Sequence, residues 1–492
     1  MSHPPAIQFD EPVLLKEAIL NSAWLGWRSL FWLAVAGIVA VRWRKAIHGW
    51  DAWDHGMALK WLAVVCAVVL TWPSVTYDYN YYFDRWHGVD RMVLAVFCVG
   101  IIWRPVFLIP FLLVFFPIAW QFHFPLGGIS WAAHSLPYHC LMLFGAFYVV
   151  SLCTKIRSAA PVLYLACCLI PIHYWPAGFS KVASGWMLHD QVAYLLPSTY
   201  ANGWAPFLTP EGVGTVTNLA AAVNPMLKLL TFFAECLCIF ILWRRGTAIA
   251  VLMIWICFHT GIFLMSGICF WQWVLIEICL LVLLFRSPAF RIDWIFSRGG
   301  LLLSLLLILS SERFLKPVRL TWADARATNT YRWYATGESG QRYHLPPRFF
   351  APYDYDFTLS RFSYLSREPA MGITWGAASR PLAEMLHGVT TPDEILEIED
   401  EVKIDLFSHE RTETFSDFVR VFVDGINEYP DRKMAFRWAR APRLLWTFGD
   451  DTEYAYHEPI HSVEAVQVLS FFDGDSYRVI RERSVFKIDI HP

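Results

Sequence analysis

The chain has 492 residues, of which 56% are hydrophobic and 17% charged, and that content exceeds what a water-soluble domain of this size tolerates. Lys and Arg number 40 against 42 Asp and Glu, a balance that gives no electrostatic footprint for nucleic acid and excludes that class of partner. The expected fold class is an α-helical multi-pass membrane bundle of about nine to ten spans with a C-terminal α+β extramembrane domain. Residues 1–22 form an N-terminal segment, 23–311 the bundle and 312–492 the extramembrane domain.

The N-terminal segment carries Asp10, Glu11 and Glu17 and no basic start before an apolar region. No cleavable signal is read there, and the first span is expected to act as the targeting signal. Apolar runs then predict spans over Ala23–Val41, Met57–Val75, Met92–Trp103, Val106–Trp120, Leu136–Cys153, Ala160–Phe179, Met226–Trp243, Thr247–Met265, Phe270–Phe285 and Ile295–Ser310. The third and fourth are short and divided by Arg104-Pro105, so a re-entrant hairpin is the alternative there. All the cysteines lie between Cys66 and Cys279. Cys167-Cys168 and Cys236-Leu237-Cys238 fall inside apolar runs and read as small core residues.

Basic residues sort the loops. Arg42, Arg44 and Lys45 follow the first span, Arg104 divides the third and fourth, Lys155 and Arg157 follow the fifth, Arg244 and Arg245 the seventh, and Arg286 and Arg291 the ninth. By the positive-inside rule these loops are cytoplasmic. Lys181 and the C-terminal domain are then expected on the same non-cytoplasmic side, and the N-terminus outside as well.

The sixth run ends in AGFSKVASGW, Ala177 to Trp186, and delivers Lys181 to the membrane boundary. An ammonium there must snorkel, pair or lose its proton. Lys181 therefore reads either as an interfacial anchor, since Lys and Trp flank many spans, or as a general base in a partly desolvated site. The next two spans carry Glu235 and His259, ionisable groups expected to face the bundle interior, either fixing helix packing or serving a site directly.

The C-terminal domain alternates differently. TYRWYATGESGQRYHL reads as a hairpin around Gly337 to Gly340, and SYRVIRERSVFKIDI after Asp473-Gly474-Asp475 as part of a second strand pair. Thr391-Pro392-Asp393-Glu394 opens a helix with a capping box, and FSDFVRVFVDGINEY is an amphipathic helix. The acidic stretch Asp393 to Asp405 lacks the ligand spacing and turn glycine of a calcium loop. His457-Glu458-Pro459-Ile460-His461 matches the letters of a zinc-protease helix, but Pro459 disfavours that helix and VEAVQVLSFF after it reads as a strand. No metal site is expected.

AGFSKVASGW resembles the lysine motif of vitamin K-dependent γ-carboxylases and of the wider horizontally transferred transmembrane (HTTM) domain family. Glu235 before a di-arginine loop, and Phe258-His259 followed by Gly261, Phe263, Gly267 and Phe270, are similar to the family's next two spans. Trp131-Ala132-Ala133-His134 is similar to a segment upstream of the carboxylase lysine. The resemblance covers about Leu20 to Phe285. It implies that Lys181 is the base that deprotonates a reduced vitamin K-type quinone, with His259 and Glu235 as further catalytic candidates. It also implies that Trp186, His134 and Tyr194 contribute to substrate or cofactor binding. The partners expected are membrane lipid, a quinone, and a peptide or protein at the C-terminal domain. The rival reading is a non-catalytic scaffold that holds lipid or quinone and docks a protein. A transporter is not favoured, because no inverted repeat is apparent.

Overall fold

The computed structural model of the chain describes residues 22–42, 49–77, 87–121, 126, 131–189, 191–291, 294–313, 323–351, 353–373, 375, 377–430, 437–448 and 454–490. Asp10, Glu11, Glu17, Arg44 and Lys45 lie outside these residues. A helix occupies part or all of each of the ten apolar runs, and several helices extend past the predicted boundaries. In order they include α1 (Ser22–Arg42), α2 (Gly56–Thr76), α3 (His87–Trp103), α4 (Leu108–Gln121), α5 (Trp131–Cys153) and α6 (Ala160–Ala183). After the short α7 (Leu195–Ala201) come α8 (Pro210–Ala222), α9 (Asn224–Cys236), α10 (Arg245–Ser266), α11 (Trp271–Arg286) and α12 (Arg298–Ser310).

Among the described residues, four helices are long and apolar enough to cross a membrane: α2, residues 135–153 of α5, α6 and α10. The pair Pro210–Ala222 and Asn224–Phe240, bent by 68°, makes a fifth if counted as one span. The predicted continuous run Met226–Trp243 is corrected here, because α9 ends at Cys236 and the chain tightens into a 3₁₀ turn over Leu237–Phe240. The lysine-bearing helix also runs one turn past Phe179, to Ala183, so Lys181 is helical.

α6 is the centre of the bundle. Its buried face runs from Ala160 to Gly178, and Pro171 and Pro176 lie inside it without ending it, because neighbouring helices enclose the backbone they leave unpaired. Phe97, Phe111, Phe115, Phe144, Tyr164 and Trp255 fill the surrounding core. α3 and α4 are two packed helices joined by a 3₁₀ turn at Pro105–Phe107.

The C-terminal domain is built on a four-stranded antiparallel sheet. Strands β1 (Ala323–Asp324), β2 (Ala327–Gly337), β3 (Arg342–Leu345), β4 (Ala377–Ala378), β5 (Ile460–Phe472) and β6 (Tyr477–Asp489) are arranged as β3-β2-β5-β6, with β1 and β4 paired separately. β2 and β5 are in register from Ala327↔Phe471 to Thr336↔Ser462, with a shift before Gly337↔Ile460. The alternation that predicts the two hairpins is the alternation that buries Trp333, Ala335, Val463 and Ala465 on one face. There α15 (His409–Glu428) packs Phe415, Phe418 and Phe422 against Trp333 and Phe350. Two further helices, α13 (Arg380–Leu386) and α14 (Pro392–Val402), cover the other end of β5. Thr391 and Glu394 form the expected capping box at α14.

The domain sits on the end of the bundle where α2, α6 and α10 finish. Arg326 donates to the Tyr194 hydroxyl at 2.8 Å and Arg380 to the Ser184 carbonyl at 3.1 Å. The Asp473–Ser476 turn rests on α8, where Asn218 donates to the Gly474 carbonyl at 2.9 Å. A strap over residues 437–448 closes the junction. Within it, Ala441 N–H donates to Thr76 Oγ1, Trp446 N–H to the Gly267 carbonyl and Phe448 N–H to the Gly203 carbonyl, each at 3.0 Å.

Asp356 lies buried near this junction, and burial raises its carboxyl to about 7 against the opposing pull of Arg361. The unfolded chain loses this proton near the ordinary aspartate value of about 3.9, whereas the fold retains it to about 7. Stability from this group is therefore complete below the unfolded value and is lost as pH rises through about 7. Thermal unfolding of the full chain between pH 5 and 8 should show a falling midpoint, and Asp356→Asn should flatten it; an unchanged slope in the variant would contradict this assignment.

Candidate functional site

Tyr174, Gly178 and Lys181 are spaced four and three residues apart and occupy one face of α6. Lys181 lies in the last turn, where a cation complements the helix C-terminus. α9 crosses this face at Gly178. A Cβ added there would lie 2.8 Å from Glu235 Cβ and 2.7 Å from Cys236 Sγ, closer than packed side chains permit. The missing side chain is what lets the two backbones approach.

That approach brings Glu235 to Lys181. The ammonium donates to both carboxylate oxygens at 2.7 Å, with side-chain exposures of 13% for Lys181 and 7% for Glu235. Trp186 closes the site from the far side, its ring centroid 5.6 Å from Lys181 Nζ, a cation–π distance. The lysine is thus chelated and capped by an indole. Phe179 and Val182, its neighbours on α6, are exposed.

Two turns back along the same face lies a second polar cluster. Tyr174 donates to Glu277 Oε1 at 2.5 Å, and its hydroxyl is 3.2 Å from His259 Nε2. His259 Nδ1 lies 3.5 Å from the same carboxylate. Glu277 has 0% side-chain exposure. Its Oε2, like His259 Nδ1, finds no hydrogen-bond partner among the described residues. Trp255 links this cluster to the ion pair, because it stacks on Tyr174 at 4.2 Å and donates its indole N–H to the carbonyl of Ala234, next to Glu235. Trp273 stands edge-on to His173 and Tyr174, with centroids at 5.8 and 5.3 Å. His173 Nδ1 bonds to the Leu169 carbonyl, which can only accept, so Nε2 is left to accept from His139 Nδ1 at 3.1 Å.

The structure therefore brings Lys181, Glu235 and Trp186 together and directs His259 to a different partner, Glu277. Tyr194 belongs to the domain junction, where it bonds Arg326 and stands beside His387 and Phe472. His134 lies in the first turn of α5, and its side chain is outside the described residues. Glu277, Tyr174 and Trp255 were not singled out from sequence. Glu277 carries the same signal as Glu235, a lone acid in an apolar run, and Tyr174 stands seven residues from Lys181, which is two turns on one face.

The His457–His461 segment is not a helix. Ile460 and His461 already belong to β5, and Glu458 instead fastens the β2–β3 turn, accepting from Ser339 N–H and Oγ, each at 2.8 Å. Hydrogen bonds from Tyr343 and Ser339 hold the Glu458 carboxyl below its ordinary range. Among the described residues no group of three or more candidate ligands could hold a metal ion.

No family model, no curated protein and no solved structure matches the chain.

Restoring a side chain at the crossing should expose its importance. Gly178→Ala is expected to destabilise the protein by about 1–3 kcal/mol through overpacking, read as a lower unfolding midpoint in detergent, with Gly178→Val worse. Wild-type stability in both variants would show that α6 and α9 do not meet as described.

Proposed function

We propose that the chain is an integral, multi-pass membrane protein of the HTTM kind, resembling vitamin K-dependent γ-carboxylases, in which Lys181 and Glu235 act together as a proton-transfer pair on a lipid-soluble acid. The observation that carries this reading is the chelated, largely buried Lys181–Glu235 pair at the bundle end beneath the C-terminal domain. A resting ammonium cannot accept a proton. Moving one proton from Nζ to Glu235 leaves a neutral amine beside a neutral acid with no change in net charge, the arrangement least penalised where water is scarce. The amine can then take a proton from an acidic hydroxyl, and the ammonium so formed stands opposite the new anion.

A reduced quinone fits the residues present. Its flat ring suits the indole of Trp186, and its apolar body suits the exposed Phe179 and Val182 beside Lys181. When bound, such a group would supply the acidic hydroxyl and the oxygen-reactive carbon framework of carboxylase-like chemistry. Glu235 positions the amine, Trp186 caps it, and Tyr174, His259 and Glu277 fasten α6, the helix that carries Lys181, to α10 and α11. In this reading the C-terminal domain lies on the non-cytoplasmic side and receives a peptide or protein.

The completeness of the pair also favours a second reading. An ion pair satisfied on both carboxylate oxygens is what a structural anchor needs. Ser180 stands where the carboxylase pattern has another lysine, and the C-terminal domain has no cysteine with which to join the bundle. The alternative is a scaffold that holds lipid or quinone and docks a protein through the C-terminal domain.

Lys181→Arg separates the two. Arginine keeps the charge and the pairing but does not give up its proton. In lipid nanodiscs with reduced vitamin K as probe, oxidation of the probe should fall by about 10²-fold or more in Lys181→Arg and Lys181→Ala, with Lys181→Arg keeping its unfolding midpoint. Undiminished turnover in Lys181→Arg, or no turnover in the wild type, would favour the scaffold.

A further inference from the structure

Four exposed apolar residues of α2, Met57, Trp61, Val68 and Trp72, fall within one narrow stripe when placed at helical spacing. α10 carries a similar stripe of exposed residues at Met253, Cys257, Thr260 and Leu264. Both stripes run toward the end on which the C-terminal domain sits. The 437–448 strap spans the gap between them. Trp72, one turn before the end of α2, donates its indole N–H to the Ala439 carbonyl at 2.7 Å, so the strap lies level with the last turn of the helix. At its other end Trp446 stands edge-on to Phe263 of α10, centroids 5.7 Å apart. An antiparallel bridge from Leu445 to Ile268 fixes that height.

Trp438, next to the residue that receives the Trp72 bond, is 90% exposed. It lies next to the strap residue that Trp72, the last member of the exposed α2 stripe, bonds. Water is a poor partner for so large an indole, whereas the boundary between acyl chains and headgroups accommodates both its apolar body and its N–H.

We infer that the 437–448 strap is a lipid-contact element that seats the C-terminal domain on the bilayer surface, with Trp438 in the headgroup–acyl boundary and Trp446 at the same level beside α10. The partner is a phospholipid bilayer, identified by the attachment of Trp438's neighbour Ala439 to Trp72 at the end of the exposed apolar stripe of α2. The inference rests on the membrane reading above and adds a third contact to the two spanning faces.

Photocrosslinking of the full-length protein in phospholipid nanodiscs tests it. p-Benzoylphenylalanine is placed singly at Trp438, at Leu264 as a probe of the spanning face, and at Val421 on α15 as a probe of the exposed domain surface. Mass spectrometry should find phospholipid adducts at 438 and 264, each about tenfold above 421. Adducts at 264 with none at 438, or protein adducts alone at 438, overturn the lipid-contact role and leave the membrane reading standing. No lipid adduct at either position overturns both.

Discussion

The approach of two helix backbones at Gly178 is the constraint on which the site depends. An ammonium and a carboxylate placed separately in an apolar bundle would each cost several kcal/mol in lost hydration. They are tolerable only at bonding distance, and bonding distance requires that α9 cross α6 without a side chain between them. The glycine therefore selects the partner, the partner fixes the lysine rotamer, and Trp186 is positioned over a charge that cannot wander. The position of Tyr174 follows from the same face of the same helix, and Trp255 holds it there by stacking while its indole N–H reaches the residue before Glu235.

Two polar clusters two turns apart give α6 different surroundings along its length. The deeper one, Tyr174 with His259 and Glu277, is enclosed by aromatic rings from α10 and α11. The outer one lies in the last turns of α6, where Phe179 and Val182 are exposed. The deeper cluster serves the packing of three helices, each contributing one polar side chain to a point where a mismatch in register would leave a buried carboxylate uncompensated.

Much of this arrangement was legible in the chain because apolar run length and helical spacing are strong, local signals. The ten runs correspond to helices, Lys181 and Glu235 stood out as ionisable groups in apolar surroundings, and the capping box at Thr391 carried its own geometry. Pairing was less legible. Nothing in the spacing indicates that Glu235 turns to Lys181 while His259 turns to Glu277, since that depends on helix crossings far apart in sequence. The early end of α9 also escaped, because Leu237–Phe240 is as apolar as the helix it follows. The strap left no periodic signal, being a short 3₁₀ turn followed by an irregular segment whose backbone bonds reach the bundle.

The sheet of the C-terminal domain has an unusual order of assembly written into its register. β2 follows soon after α12, yet its long partner β5 arrives only after the whole helical portion of the domain, and the strap immediately precedes that strand. During synthesis the bundle, with its ion pair, has every residue it needs well before β5 emerges. The N-terminal half of the domain must wait with Tyr331 and Trp333 uncovered, a contact of high sequence separation and slow closure. The four-stranded sheet is thus the last part of the molecule to close, after the helices that carry Lys181 and Glu235 have both been made.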